Sequence, residues 1–253
     1  MPKSGREPNL RRMIHPEIKV LPTPAAVAVE GTERFINAVG EAIALRGRFS
    51  VALSGGHTPE AMFQLLASEP HRSRIDWAMV EIFFGDERCV APDSDQSNYR
   101  MANEVLLKKV PIPGDNVYRI RGEIDPNEAA IEYGQMLKEK FGDGGLDLVM
   151  LGMGPDGHTA SLFPGTPALH ENKHRCVANY VEKMKSWRVT MTAPFINRSR
   201  TVMFLVVGAD KAVRVAEVLE GPRDPDRLPS QLIQPADGNL IWLLDAAAAG
   251  MRE

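Results

Sequence analysis

The stretch "FSVALSGGHTPEAMFQLLAS", residues 49–68, changes periodicity halfway along, and that change decides how the chain folds. Phe49 to Leu53 form a short apolar run of the length and composition of a strand covered on both faces. Ser54, Gly55 and Gly56 interrupt it. Pro59 then falls at the first helical position, where its missing N–H costs nothing, with Thr58 expected as the N-cap. A strand that passes through a glycine turn directly into a helix is half of a βαβ unit.

The same rhythm recurs on both sides of this junction. Upstream, "TERFINAVGEAIALRGR" predicts a helix beginning near Thr32, with Phe35, Ile36, Val39 and Ile43 facing inward. Downstream, "VEIFFGDER" reads as a strand running into a loop, and "SNYRMANEVLLKK" and "PNEAAIEYGQMLKEKFG" read as helices. "LDLVMLGMG" is too continuously apolar to have an open polar face, so it is another buried strand. "CVANYVEK" and "WRVTMT" predict a small antiparallel excursion. "RTVMFLVVGADKAVRVAEVLEG" gives a strand and a helix striped by Ala212, Val215, Ala216 and Leu219, and "DGNLIWLLDAAAAG" a last strand and a short terminal helix. Nothing between them reads as a linker. The expected organisation is one α/β domain over residues 17–253, a mostly parallel sheet flanked by helices, after a flexible tail at 1–16.

Composition narrows the chemistry. The 253 residues are 43% hydrophobic and 25% charged, enough to bury a core without disulfides or metal. A net charge of −3 offers no broad attraction to nucleic acid or an anionic membrane, so an anionic ligand has to be met by a local cluster of cations. The two cysteines, Cys89 and Cys176, are too few for a disulfide framework. With no apolar run long enough to span a bilayer and no signal-peptide core, a cytoplasmic protein is expected. The basic opening, with Lys3, Arg6, Arg11 and Arg12 against Glu7, is read as a frayed tail rather than a targeting or nucleic-acid arm.

Polar motifs stand at the predicted carboxyl ends of strands, where ligands collect in open α/β sheets. Ser54, Gly55 and Gly56 precede a helix start, so their motif reads either as a tight turn or as an anion cradle built from backbone N–H groups. His57 reads as an exposed loop residue. Asp86, Glu87 and Arg88 form either a surface charge cluster or a guanidinium fork with carboxylates to orient it. Lys211 in a first helical turn opposes the helix dipole, a conflict that a bound anion would remove. In "GMGPDGHTASLFPG", Gly152, Gly154 and Gly157 surround Asp156 and His158, and "TASLF" reads as one or two turns of helix. His158 is then a turn residue bonded to backbone or, beside an anion site, a general base. The dinucleotide fingerprint lacks its third glycine and its acid, so NAD is not expected; no GxSxG nucleophile or HExxH metal motif occurs.

Taken together, "LSGGHTPEAMFQLL", "FFGDERCVAPDSDQSNYRMANEVLL", "DLVMLGMGPDGHTASLFPG" and "FLVVGADKA" resemble the 6-phosphogluconolactonase family, in order from about residue 17 to 245. The resemblance implies a parallel, Rossmann-like sheet shared with glucosamine-6-phosphate deaminases. In those deaminases the corresponding histidine is followed by "IAFNEP", whereas His158 is followed by "TASLFPG". It also implies a substrate, 6-phospho-D-glucono-1,5-lactone, and no metal or organic cofactor. His158 matches the family's catalytic histidine, with Asp156 setting the loop or the imidazole tautomer. Substrate contacts carry over to Ser54, Gly55, Gly56, Arg88 and Lys211, with Arg188 a weaker match, and Asp86 and Gly154 are expected as further contacts beside them. His57 stands where a small residue is common, and the segment before Arg188 lacks a frequent proline. The rivals are an amino-sugar-phosphate deaminase/isomerase and a non-catalytic phosphosugar sensor. No nucleic-acid or membrane partner is expected, and the protein is expected as a monomer or small homo-oligomer.

Overall fold

The structure, a computed structural model, describes residues 15–251, so residues 1–14 of the expected tail lie outside the described residues. The chain enters through strand β1 (Glu17–Leu21) and turns at once into helix α1 (Pro24–Arg46). That helix starts at Pro24 and not near Thr32, because Thr23 is its N-cap: the Thr23 hydroxyl accepts from the Ala26 N–H at 3.2 Å, and Pro24 occupies the first turn. The expected face is correct, with Phe35, Ile36 and Val39 buried and Ile43 packed at its edge. Strand β2 (Phe49–Leu53) is buried throughout, as its composition requires, and leads into α2 (His57–Leu66). The cap of α2 is Gly56, at φ 103°, and not Thr58.

Six parallel strands form the main sheet: β1, β9 (Asn239–Asp245), β8 (Thr201–Val206), β5 (Leu148–Leu151), β2 and β3 (Val80–Phe84), in that spatial order. From β2 the chain adds β3 on one side and then β5, β8 and β9 on the other. The loops after β2 and β5 therefore leave neighbouring strands in opposite directions and open a crevice at the carboxyl ends. Helix α4 (Pro126–Phe141) covers part of the structure, its first turn capped by Asp125, which accepts from the N–H groups of Asn127 and Glu128. Helix α6 (Ala212–Glu220) follows β8; it buries Val215 and packs Val218 and Leu219, while Ala216 is exposed, contrary to the expected stripe. The terminal alanines make a hydrogen-bonded turn after β9, Ala249 N–H to Asp245 C=O at 3.0 Å, and no helix.

The antiparallel excursion is a second sheet of three strands, β4 (Asp86–Arg88), β7 (Ser186–Met191) and β6 (Cys176–Val181), followed by the short helix α5 (Ala193–Ile196). Its first strand is the "DER" expected to be a loop. Gly85 joins the two sheets: its N–H donates to Leu53 C=O at 3.0 Å, and its C=O accepts from Met191 N–H at 2.8 Å. Asp86 and Glu87 are buried, not a surface cluster. Helix α3 (Asn98–Val105) supplies the reason, because its open N-terminus needs acceptors. The Glu87 carboxylate takes the N–H groups of Asn98 and Tyr99, each at 2.8 Å, and the Ser97 hydroxyl at 3.0 Å. Burial nonetheless pushes its carboxyl above the ordinary range, against the lowering by those N–H groups.

Candidate active site

The strand-end crevice has a volume of about 390 Å³. Ser54, Gly55 and Gly56 of the β2 turn form one wall, Gly154 and His158 of the β5 loop another, and Asp86, Arg88 and Lys211 complete it. The expected anion cradle and the expected base thus face one space. Asp156 and Arg188 do not line it: Asp156 contacts His158, and Arg188 lies opposite Arg88 in the small sheet. A larger groove, about 940 Å³, lies between α4 and β6 and is lined by His174, whose Nδ1 lies 3.2 Å from the Glu171 carboxylate.

His158 is held from two sides. Asp156 Oδ1 lies 2.5 Å from its Nδ1 and 3.3 Å from its backbone N, and the ring stacks on Phe163 with centroids 4.0 Å apart. The hydrogen bond from His158 is the largest influence on Asp156. Despite partial burial, it holds that carboxyl well below the usual range, assisted by Lys183 at 3.6 Å. An ionised carboxylate at Nδ1 keeps the proton there and leaves Nε2 as the basic nitrogen. Gly154 makes this placement possible: a Cβ at that position would fall 2.1 Å from the imidazole. The loop closes through Gly154 N–H to His158 C=O at 2.9 Å and Gly157 N–H to Gly154 C=O at 3.0 Å.

Residues 159–162, expected to begin a helix, form a tight turn instead, with Ala160 at φ 47°. Ser161 explains the difference, since the small sheet claims each of its polar groups. Its hydroxyl donates to Asp86 Oδ2 at 2.6 Å, its N–H to Thr190 Oγ1 at 3.2 Å, and its C=O accepts from Asn179 Nδ2 at 2.9 Å. All four side chains are buried. The imidazole loop is therefore fastened to β4, β6 and β7, and Asp86, expected as a substrate contact, spends its carboxylate on Ser161 and Asn98. Nothing in the spacing of Ser161, Asn179, Thr190 and Asn98 announces this network; only the helix-start pattern at Ser97–Asn98 hints at the last.

The cations are distributed unevenly. Lys211 ends a short 3₁₀ turn, Ala209–Lys211, and pairs with the Asp210 carboxylate, so the dipole conflict is met by its own neighbour before any ligand arrives. Arg88 donates to the Gln96 carbonyl and lies opposite Arg188 in the β4–β7 register. Among the described residues neither guanidinium has a carboxylate within salt-bridge distance, and Arg188 is buried with its Nε unpartnered. Burial first, and Arg88 second, lower the Arg188 pKa from its ordinary value. His57, exposed as expected, faces Glu60 at 3.4 Å. Burial pushes the Cys89 thiol up to about 11 and Cys176 higher still, so neither is a thiolate at neutral pH.

Fold and site define a parallel-sheet α/β protein whose crevice sets the glycine turn after β2 opposite an aspartate-held imidazole. The family model described as "Glucosamine-6-phosphate isomerases/6-phosphogluconolactonase" matches residues 22–242. The chain belongs to that family. It is 38% identical over 237 residues to a 6-phosphogluconolactonase of a Nostoc species, covering 91% of this chain and 96% of that one. The solved 6-phosphogluconolactonase of Trypanosoma brucei superposes with a TM-score of 0.83 at 30% identity, covering 94% of this chain and 98% of that one. A monomeric glucosamine-6-phosphate deaminase shares the fold, with a TM-score of 0.81 at 20% identity over 93% of this chain and 100% of that one.

Proposed function

We propose that this protein hydrolyses 6-phospho-D-glucono-1,5-lactone to 6-phosphogluconate, the lactone-opening step of the oxidative pentose phosphate pathway. The observation that carries the reading is the common crevice of His158, the glycine turn and Lys211. The phosphate sits on the N–H groups of the Ser54–Gly56 turn and on Lys211, and Arg88 orients the ring. His158 Nε2 takes a proton from water as the water oxygen attacks C1, and N–H donors of the glycine-rich loop receive the oxyanion. The bond from C1 to the ring oxygen then breaks, and the leaving oxygen takes the proton back from the imidazolium. Asp156 stabilises that cation and holds the ring. Arg188 adds positive charge opposite Arg88.

The test is acid release from freshly generated lactone, corrected for spontaneous hydrolysis, with unphosphorylated gluconolactone as control. His158→Ala is expected to lower kcat by about 10²–10⁴ while phosphosugar binding persists; wild-type turnover would remove His158 from this role. Ammonia release from glucosamine 6-phosphate would favour the deaminase, and binding without turnover the sensor. A cytoplasmic location and a monomer or small homo-oligomer complete the proposal. The location is consistent with the finding that no described helix is long and apolar enough to cross a membrane, and light scattering tests the oligomeric state.

A further inference from the structure

Asn98, the first residue of α3, is buried and also borders the crevice. Its Nδ2 donates to the Asp86 backbone carbonyl at 2.9 Å and to Asp86 Oδ1 at 3.3 Å. Two acceptors at one end of the amide fix its orientation, so the other end is an oxygen. That oxygen, Oδ1, is buried and has no hydrogen-bond partner. It lies against the glycine turn: a Cβ on Gly55 would fall 1.9 Å from it. A carbonyl oxygen buried without a partner is costly to keep, and this one belongs to a residue that lines the crevice.

The chemistry of the atom selects its partner. A side-chain carbonyl only accepts, so it repels phosphate oxygens and a developing oxyanion and is satisfied by an O–H donor. Resting on the lactonase reading, we propose that Asn98 is a specificity-determining residue that accepts the hydrogen bond of one ring hydroxyl of the substrate at Oδ1. Its amide nitrogen, anchored on Asp86, keeps that acceptor still. The glycine turn then grips the phosphate while the adjoining amide checks which sugar the phosphate carries.

The experiment compares 6-phosphogluconolactone with its 2-deoxy, 3-deoxy and 4-deoxy analogues on the wild-type enzyme and on Asn98→Ala. The wild type is expected to lose about ten- to a hundredfold in kcat/KM on one analogue, because the missing hydroxyl leaves Oδ1 unpaired. Asn98→Ala is expected to lose a similar factor on the parent lactone and nothing further on that same analogue. If Asn98→Ala does not fold, Asn98→Ser replaces it, a residue favoured at a helix start that lacks the Oδ1 acceptor; discrimination between parent and analogue should vanish. The proposal is overturned if no analogue is penalised by the wild type, or if the variant slows parent and analogues by one common factor. Failure of the wild type to turn over the parent lactone would instead sink the lactonase reading itself.

Discussion

Replacing Asp156 with asparagine separates the charge of the carboxylate from its grip on the imidazole. Oδ1 receives both the Nδ1 and the backbone N–H of His158, while Oδ2 faces Lys183. An asparagine can therefore keep its oxygen toward the ring, turn its amide nitrogen outward and preserve the tautomer. Only the charge is lost. A hydrogen bond to a charged group contributes about 1.5–3 kcal/mol and a neutral one about 0.5–1.5, so the difference is about 1–1.5 kcal/mol, or roughly tenfold in rate. His158 and Asp156 side chains are 24% and 26% exposed, so water screens the pair and the lower end applies. Asp156→Ala removes the grip as well and leaves the ring free to turn on Phe163; its kcat should fall by about a hundredfold or more. KM should change little in either, because Asp156 does not line the crevice. Acid release in a pH-stat at neutral pH, with melting temperatures measured in parallel, decides. An alanine variant no slower than the asparagine variant would refute the reasoning, as would an effect confined to KM.

Three further outcomes follow from the same geometry. Lys211→Ala should raise KM for the phosphorylated lactone by about tenfold with a smaller change in kcat, as expected for loss of a charged contact; an unchanged KM would place the phosphate elsewhere. Gly154→Ala drives a Cβ into the imidazole and should cost at least about 10² in kcat, with a circular-dichroism spectrum close to wild type; normal turnover would mean the ring can move without penalty. Glu171 accepts the N–H groups of His174 and Lys173, which bring its carboxyl down to about 2 from 4.5. A depressed carboxyl stabilises the fold above its unfolded value and loses that contribution as pH falls through the folded one. Glu171→Gln should therefore melt below wild type at pH 7, with the difference shrinking between pH 4.5 and 2; a constant gap would show that the charge is not responsible.

Much of the fold was legible because strand and helix periods alternate and glycines mark their junctions. The start of α1 was missed for a local reason: Thr23–Pro24 is a complete cap, yet the first apolar stripe after it is weak. The Asp86–Arg88 strand was illegible for a tertiary one. Three charged residues read as surface until α3 arrives with unpaired N–H groups for Glu87 to receive. Likewise "TASLF" has acceptable helical composition, but Ser161 gives all its hydrogen bonds to partners at 86, 179 and 190. The candidate residues Ser54 to Gly56, His158 and Lys211, which follow strands of the large sheet, could be assembled from the topology of a parallel sheet alone, whereas Arg88 sits on β4 of the small one. Asn98 could not, because its contribution is one unpaired atom.

The bond from Ser161 to Asp86 divides labour between the two sheets. Under the proposed mechanism, grip on the phosphate falls to the large sheet, through the loop after β2 and the turn after β8, whereas the aim of the base is set by the small one. Packing changes in β6 or β7 can thus retune reactivity and leave affinity for the phosphate untouched. A protein partitioned in this way can acquire a new reaction without first surrendering its hold on the old class of ligand.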